Sequence, residues 1–442
     1  MLPAELLHYL NRRSCSLLVK GTAGSGKTTL ALTLLRALAR NVNFLYLSTR
    51  ESPTQLYADY PWLSESFSGQ GQAKSAGKVH PGFVDARLDE PGPLFERITS
   101  ELMDVRTPLI VIDTWNTMED YVNFEDLQVN VKVLRSWIER VGGKLILVGE
   151  DPNDSTLDAL VDGIVVLRQN ELEGRRVREM TLVKLSGTEI RHPVHNFTLK
   201  DGTFTAFPHT KVDDLLEAAG SDMETGRFRQ AKSGDYVSTG YAELDSALGG
   251  GFSRGSLVKV EMSQGVDPRM VLLFLRPMMD RLVKKGGGAK VVPWEGASKR
   301  FVSRLMVAVS APGRKKVKFL WGDANEITDS KASTGSAARP LSSPKTGASE
   351  RELAIVFVDP DRPDNVRRSL QRLSWSRKTL TLLVGTPERI PAELTRNAEA
   401  KLKLFSINGT LFAAADSPFT RLFALVKRGS GKLGYIGLEQ VV

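Results

Sequence analysis

The chain has 442 residues, too many for one compact core, so two domains are expected. A hydrophobic fraction of 41% and a charged fraction of 25% are ordinary for a globular protein. No apolar run approaches the roughly 18 residues of a membrane span, which excludes a helical membrane protein. The net charge of +9 is unevenly shared: residues 1–209 carry 23 Lys and Arg against 26 Asp and Glu, and the remainder carries 37 against 25. A basic second half suits a polyanionic partner such as nucleic acid, and equally an ordinary solvated surface. The single cysteine, Cys15, excludes an internal disulfide, and no Cys- or His-rich cluster suggests a metal centre. Met1–Arg13 lacks the pattern of a secretory leader, so the expected compartment is the cytoplasm.

Ser16 to Lys20 reads as a short buried strand, and Thr28 to Leu38 as a helix with Leu30, Leu34 and Leu38 on one face. Between them lies Gly21-Thr22-Ala23-Gly24-Ser25-Gly26-Lys27-Thr28, the spacing of a phosphate-binding loop in the strand–loop–helix context that such a loop needs. Glycines let backbone N–H groups converge on phosphate, and the helix N-terminus adds partial positive charge. Lys27 is expected at the β- and γ-phosphates, the Thr28 hydroxyl on magnesium, and Thr29 beside them.

The next strand, Val42 to Ser48, leads into Thr49-Arg50-Glu51-Ser52-Pro53. The C-terminal edge of a parallel strand faces the same crevice as the loop, so Glu51 is a candidate to activate water. The alternative is a helix-start residue ahead of Thr54-Gln55-Leu56. Pro108 to Thr114 is an apolar strand ending in Asp113, the Walker B form expected to hold magnesium through a water. Thr114 stands where many such enzymes carry a glutamate base. No Asn-Lys-x-Asp guanine-reading motif occurs, so ATP is favoured over GTP. Lys144–Gly149 and Gly163–Leu167 are further strands, and the alternating stretch Arg175 to Leu185 predicts a hairpin extending the sheet.

The order of P-loop, Glu51 strand, Walker B strand without glutamate, Asp162-Gly163-Ile164 and Lys184-x-x-Gly187 resembles the RecA/KaiC-like ATPases. The resemblance implies a trans-acting role for Lys184 at a neighbouring subunit's nucleotide. Where that family has an arginine this chain has Ser186, and its paired glutamates are here Arg50-Glu51. Leu6 to Leu10 and Ser48 to Pro53 are also similar to archaeal GvpD-like regulators, which implies action through a protein partner.

Residues 210–236 read as a linker with a helix near Val212–Ala219. Residues 238–255, from Ser238-Thr-Gly-Tyr to Ser-Arg-Gly255, resemble the lead-in to a second KaiC-like P-loop. The segment that follows, Glu261 to Pro268, aligns with Gly21 to Thr28 so that Asp267 replaces the lysine and Pro268 the threonine. Such a loop should not bind a triphosphate. Lys290–Glu295, Ile355–Asp359, Leu380–Gly385 and Leu425–Gly429 parallel the later strands of the first half, with Lys427 set against Lys184. Lys427-Arg428 are then candidates to supply a basic finger to the first site.

The expected fold class is α/β, two tandem RecA-like domains, each a mainly parallel sheet flanked by helices with a C-terminal hairpin extension. The expected boundaries are 1–209 for the live domain and 237–442 for the degenerate one, with a disordered insertion at 329–349. The expected function is a slow Mg-dependent ATPase that regulates a protein partner or self-associates. Two alternatives stand: a non-hydrolysing ATP switch, and a DNA-handling recombinase paralogue using the basic clusters at 314–318 and 367–378 with Trp375 as a stacking residue.

Overall fold

The structure is a computed structural model that describes residues 1–39, 43–67, 82–87, 98, 100, 102, 105–119, 124–219, 236–294, 296–307, 316–321, 352–358, 379–428 and 435–442. The expected insertion at 329–349, Glu295, Asp359, the basic stretch 367–378 with Trp375, and Arg314 and Lys315 lie outside the described residues. The chain divides into two compact units, Met1–Pro208 with Val441–Val442, and His209–Gln440.

The first unit is built on nine strands: β1 (Cys15–Gly21), β2 (Phe44–Ser48), β3 (Phe83–Asp85), β4 (Leu109–Asp113), β5 (Lys144–Gly149), β6 (Gly163–Leu172), β7 (Arg175–Leu185), β8 (Val194–Thr198) and β9 (Thr205–Ala206). They lie in the order β3-β2-β4-β5-β1-β6-β7-β8-β9. From β3 to β6 every pairing is parallel, and β6 to β9 continue as an antiparallel meander. Strands β1, β2 and β4 are buried along their whole length, because helices cover both faces of a parallel sheet and leave no strand position facing water. Alternate residues therefore feed two cores. Leu17, Val19, Leu109 and Val111 pack with Leu30 and Leu34 of the helix Lys27–Leu38. Leu18, Ile110 and Ile112 pack with Leu134 and Ile138 of the helix Phe124–Val141.

The second unit contains β10 (Tyr236–Val237), β11 (Phe252–Ser253), β12 (Leu257–Met262), β13 (Gly288–Val292), β14 (Val317–Phe319), β15 (Glu352–Phe357), β16 (Thr379–Gly385), β17 (Ala400–Ile407), β18 (Thr410–Ser417), β19 (Phe423–Arg428) and β20 (Tyr435–Gln440). Its large sheet runs β14-β13-β15-β16-β12-β17-β18-β19-β20, strand for strand the order of the first, with the switch from parallel to antiparallel again after the sixth strand. Two tandem RecA-like α/β sheets are thus present. The helix Val212–Ala219 does form, and its Leu215 and Leu216 are buried in the core of the second unit, so this part of the expected linker belongs to that unit.

The sheet register corrects two of the sequence alignments. Lys20 pairs opposite Gly149, and Glu261 pairs opposite Gly385, so Glu261 stands in the place of Lys20 rather than Gly21. The helices agree: one begins at Lys27, the other at Pro268. Pro268 therefore replaces the lysine, and Arg269 the threonine. The second correction concerns Lys427. It lies on β19, the counterpart of β8, whereas the counterpart of β7 is β18. Lys184 pairs with Ile164, and the equivalent pair is Ser417 with Lys401. The second unit thus has Ser417 where the first has Lys184, which removes the alignment behind a Lys427-Arg428 finger.

The lead-in at 238–255 has a structural explanation. Asp245 receives hydrogen bonds from the Thr239 amide and hydroxyl at 2.7 and 2.6 Å, and one from the Ser238 hydroxyl. Gly240 turns the chain at φ +95°, where a Cβ would meet the Pro277 carbonyl carbon at 2.7 Å. Left-handed backbone costs a non-glycine residue about 1–2 kcal/mol and overpacking about 1–3 more. Gly240→Ala should therefore destabilise the second unit by about 2–5 kcal/mol. Urea unfolding followed by the fluorescence of Trp294 would measure it, and an unchanged midpoint would refute the packing argument.

Candidate nucleotide site

At the end of β1 the chain leaves the sheet through Gly21, where a Cβ would lie 2.7 Å from the Leu167 carbonyl oxygen. Gly24 and Gly26 take left-handed φ values of +71° and +99°. Gly26 is the N-cap of the helix Lys27–Leu38 and offers no side-chain cap, so the first helical N–H groups have no internal acceptor. The Ser25 hydroxyl is buried with no hydrogen-bond partner. An anion satisfies this set of donors.

Lys27 is buried, and its ammonium donates to the Thr22 carbonyl at 3.0 Å. Burial lowers its pKa, with Arg50 adding to the effect, while Glu150 and Asp113 oppose it. A desolvated cation with a backbone carbonyl as its hydrogen-bond acceptor is poised for a better anionic partner. Asp113, at the end of β4, is buried and accepts from the Tyr46 hydroxyl at 2.6 Å and from the Thr28 hydroxyl. The Asp113–Thr114 peptide is cis. Thr49, at the end of β2, braces the turn: its hydroxyl donates to the Thr114 carbonyl at 2.9 Å and lies 2.7 Å from the Thr114 amide.

These parts line one cleft of about 300 Å³, bounded by Ala23, Gly24, Gly26, Lys27, Thr28, Thr29, Arg50, Glu51, Tyr60 and Asp113 among others. Most of the expected site residues are brought together. Gly21, Thr22 and Ser25 belong to the loop but are not among the residues that line the cleft. Glu51 is exposed at the rim, and its carboxyl is raised above the ordinary range by partial desolvation, then by Asp59 and Asp113, with Arg50 opposing. Lys184 is elsewhere: its ammonium donates to the carbonyls of Val161 and Asp158 at 2.7 and 3.2 Å. Beside it the Ser186 carbonyl accepts from the Arg12 guanidinium.

Glu150, which sequence reasoning missed, follows β5 directly. It ion-pairs with Arg50 at 2.6 Å and accepts from the Thr114 hydroxyl at 3.3 Å. The rule applied to Glu51, that parallel strands end at a common crevice, applies equally to β5.

A magnesium nucleotide fits what is present. The orphaned Ser25 hydroxyl, the uncapped helix start and Lys27 suit a polyphosphate, and the adjoining Thr28 hydroxyl and Asp113 carboxylate are oxygen donors of the kind magnesium takes. Asp113 also has a stability consequence. Burial raises its folded pKa above the unfolded value, so its contribution is most favourable at low pH and declines as pH rises through the folded value. Asp113→Asn removes the buried charge and keeps an acceptor for Tyr46. It should raise the melting temperature of the nucleotide-free protein at pH 7, each kcal/mol gained moving the midpoint by about 2–4 °C. A fall in that temperature would contradict the argument.

The counterpart in the second unit is occupied by its own side chain. Asp267 caps the helix Pro268–Lys284 by accepting from the Arg269 amide at 2.8 Å and ion-pairs with the Arg269 guanidinium. Glu261 is buried between Lys259 at 2.7 Å and Lys401 at 3.1 Å. A triphosphate would have to displace the Asp267 carboxylate from the helix start.

Sheet order, loop and acidic strand end together define the first unit as a RecA-like P-loop nucleotide-binding domain. Residues 10–211 match the family model described as "ATPase: KaiC", and the first unit is a KaiC-like ATPase-family domain. The chain is also similar to "Protein GvpD2" of Halobacterium salinarum, 28% identical over 295 residues, covering 64% of this chain and 59% of the relative. "Protein GvpD1" of the same organism is 29% identical over 308 residues, covering 66% and 56%. "Circadian clock oscillator protein KaiC" of Synechococcus elongatus is 24% identical over 278 residues, covering 58% and 50%. The chain thus spans between half and three fifths of the length of these relatives. Among the described residues no helix is long and apolar enough to cross a membrane.

Proposed function

We propose that this protein binds ATP with magnesium at the Gly21–Thr28 loop, hydrolyses it slowly, and uses the bound nucleotide to regulate a protein partner. The observation that carries the reading is the convergence of an uncapped helix start, desolvated Lys27 and the Thr28–Asp113 pair in one cleft, on a loop that also holds the orphaned Ser25 hydroxyl. Thr28 and Asp113 would hold the metal, whose charge offsets that of the phosphate oxygens. Lys27 leaves the Thr22 carbonyl for the phosphates. Glu51 orients a water and takes its proton as the water oxygen bonds to the terminal phosphorus and the bond to the bridging oxygen breaks, releasing ADP. A raised carboxyl makes Glu51 a better base than an ordinary glutamate.

Similarity to the two GvpD proteins supports the regulatory part of this reading, and a slow turnover would suit a switch. The basic stretch at 367–378 lies outside the described residues, and of the cluster at 314–318 only residues 316–318 are described. The test is ATP binding and hydrolysis by the full chain, with and without single- and double-stranded DNA. Magnesium-dependent turnover indifferent to DNA is expected. Binding without turnover would leave the switch and remove the enzyme, and turnover stimulated by DNA would replace the regulator with the recombinase reading.

A further inference from the structure

Among the described residues that line the cleft, the cations are Lys27 and Arg50. We infer that Arg50 is a second catalytic cation of this site, acting in cis on the terminal phosphate, and that Glu150 is the residue that positions it. The inference rests on the ATPase reading above and deepens it.

Arg50 follows β2 and Glu150 follows β5, and these strands flank β4, whose end carries Asp113. The ion pair therefore bridges across the metal-binding strand at its crevice edge. Glu150 is itself anchored, its amide donating to the Asn116 side chain at 2.7 Å and its carboxylate accepting from Thr114. Its carboxylate lies 2.6 Å from Nη1 of Arg50, and a guanidinium carries five N–H donors. A triphosphate brings about four negative charges to a cleft that already holds Glu51 and Asp113, so a second cation beside Lys27 answers a real imbalance.

Stability is a poor explanation of the pair. The side chains are 59% and 35% exposed, and ion pairs so exposed contribute about 0–1 kcal/mol. The pair instead limits where the guanidinium can go, which lowers the entropy lost when it engages phosphate. In the transition state Arg50 donates to a non-bridging oxygen as negative charge shifts toward the leaving ADP. No covalent bond to the arginine forms.

The test compares wild type with Arg50→Ala, Arg50→Lys, Glu150→Gln and the Arg50→Ala/Glu150→Gln double variant. Single-turnover hydrolysis and equilibrium dialysis of ATP and of ADP, both with magnesium, are the readouts. Arg50→Ala should lower the hydrolysis rate about 10²–10³-fold while ADP affinity stays within about threefold. Arg50→Lys should recover only part of the loss, because an ammonium cannot reproduce the guanidinium fork. Glu150→Gln should lower the rate about tenfold at unchanged KM, and the double variant should be no slower than Arg50→Ala, since Glu150 acts through Arg50. An Arg50→Ala rate within threefold of wild type would overturn the inference. If wild type binds ATP without hydrolysing it, the ratio of ATP to ADP affinity decides: Arg50→Ala must reduce that ratio about tenfold, and an unchanged ratio overturns the inference. Wild type that binds no ATP would remove the function beneath it, a result distinct from either.

Discussion

Lys27→Ala should weaken ATP binding by about 10²-fold or more and leave ADP binding less affected. The lysine is buried at the foot of the loop, and with Arg50 as the other lining cation its loss leaves the phosphates facing Asp113 and Glu51 with one positive charge fewer. A hydrogen bond to a charged group in a desolvated site contributes about 1.5–3 kcal/mol, and each 1.4 kcal/mol is a factor of ten. The folded protein should not suffer in the absence of nucleotide. Burial opposes the charge of Lys27, and its ammonium donates only to a neutral backbone carbonyl at Thr22 among the described residues, so the variant should melt no lower than wild type. Titration calorimetry and a thermal scan on the same preparation separate the two effects. Near-native ATP affinity in a stably folded Lys27→Ala protein would contradict the assignment of the loop.

The second large effect concerns Glu51. Its replacement by glutamine keeps size and hydrogen bonding but cannot accept the proton from water, so hydrolysis should fall about 10²–10⁴-fold while ATP binds within a fewfold of wild type. The pH profile gives an independent check. The base works as the carboxylate, and desolvation with Asp59 and Asp113 raises its pKa above the ordinary 4.5. Wild-type turnover should therefore rise with pH through that displaced value and level off above it, and the glutamine variant should lack this limb. Because Glu51 is exposed at the rim, solvent screening keeps the displacement modest. Turnover by Glu51→Gln equal to wild type would place the water-activating group elsewhere.

The phosphate loop and Asp113 were legible in the sequence because their chemistry dictates residue type at fixed spacing: glycines where backbone must approach phosphate, a carboxylate where an apolar strand ends. The two-sheet architecture was legible for the same reason, since strands buried on both faces leave uninterrupted apolar runs such as Leu109–Ile112. Glu150 was not, because one carboxylate after Gly149 looks like any loop residue until β5 is seen to lie beside β4. The one-residue error at Glu261 arose because only pairing across the sheet, Glu261 with Gly385, counts the strand correctly. Lys427 was misplaced by a whole strand. The antiparallel meander offers several alternating stretches of similar composition, and nothing local distinguishes the second from the third. The helix Val212–Ala219 was read correctly as a helix, but which core receives Leu215 and Leu216 is a matter of tertiary packing.

Asp267, held on the start of its own helix, gives the two halves of the chain different thermodynamic variables. If the first unit binds nucleotide as proposed, its folding free energy grows with nucleotide as RT ln(1 + [L]/Kd), about 2.7 kcal/mol when the ligand stands at 100 times its Kd. The second unit carries its anion covalently, at an effective concentration that no cell can dilute. On the proposed reading its stability would have no term in the energy charge of its surroundings, so a fall in ATP would loosen one sheet and leave the other as it was.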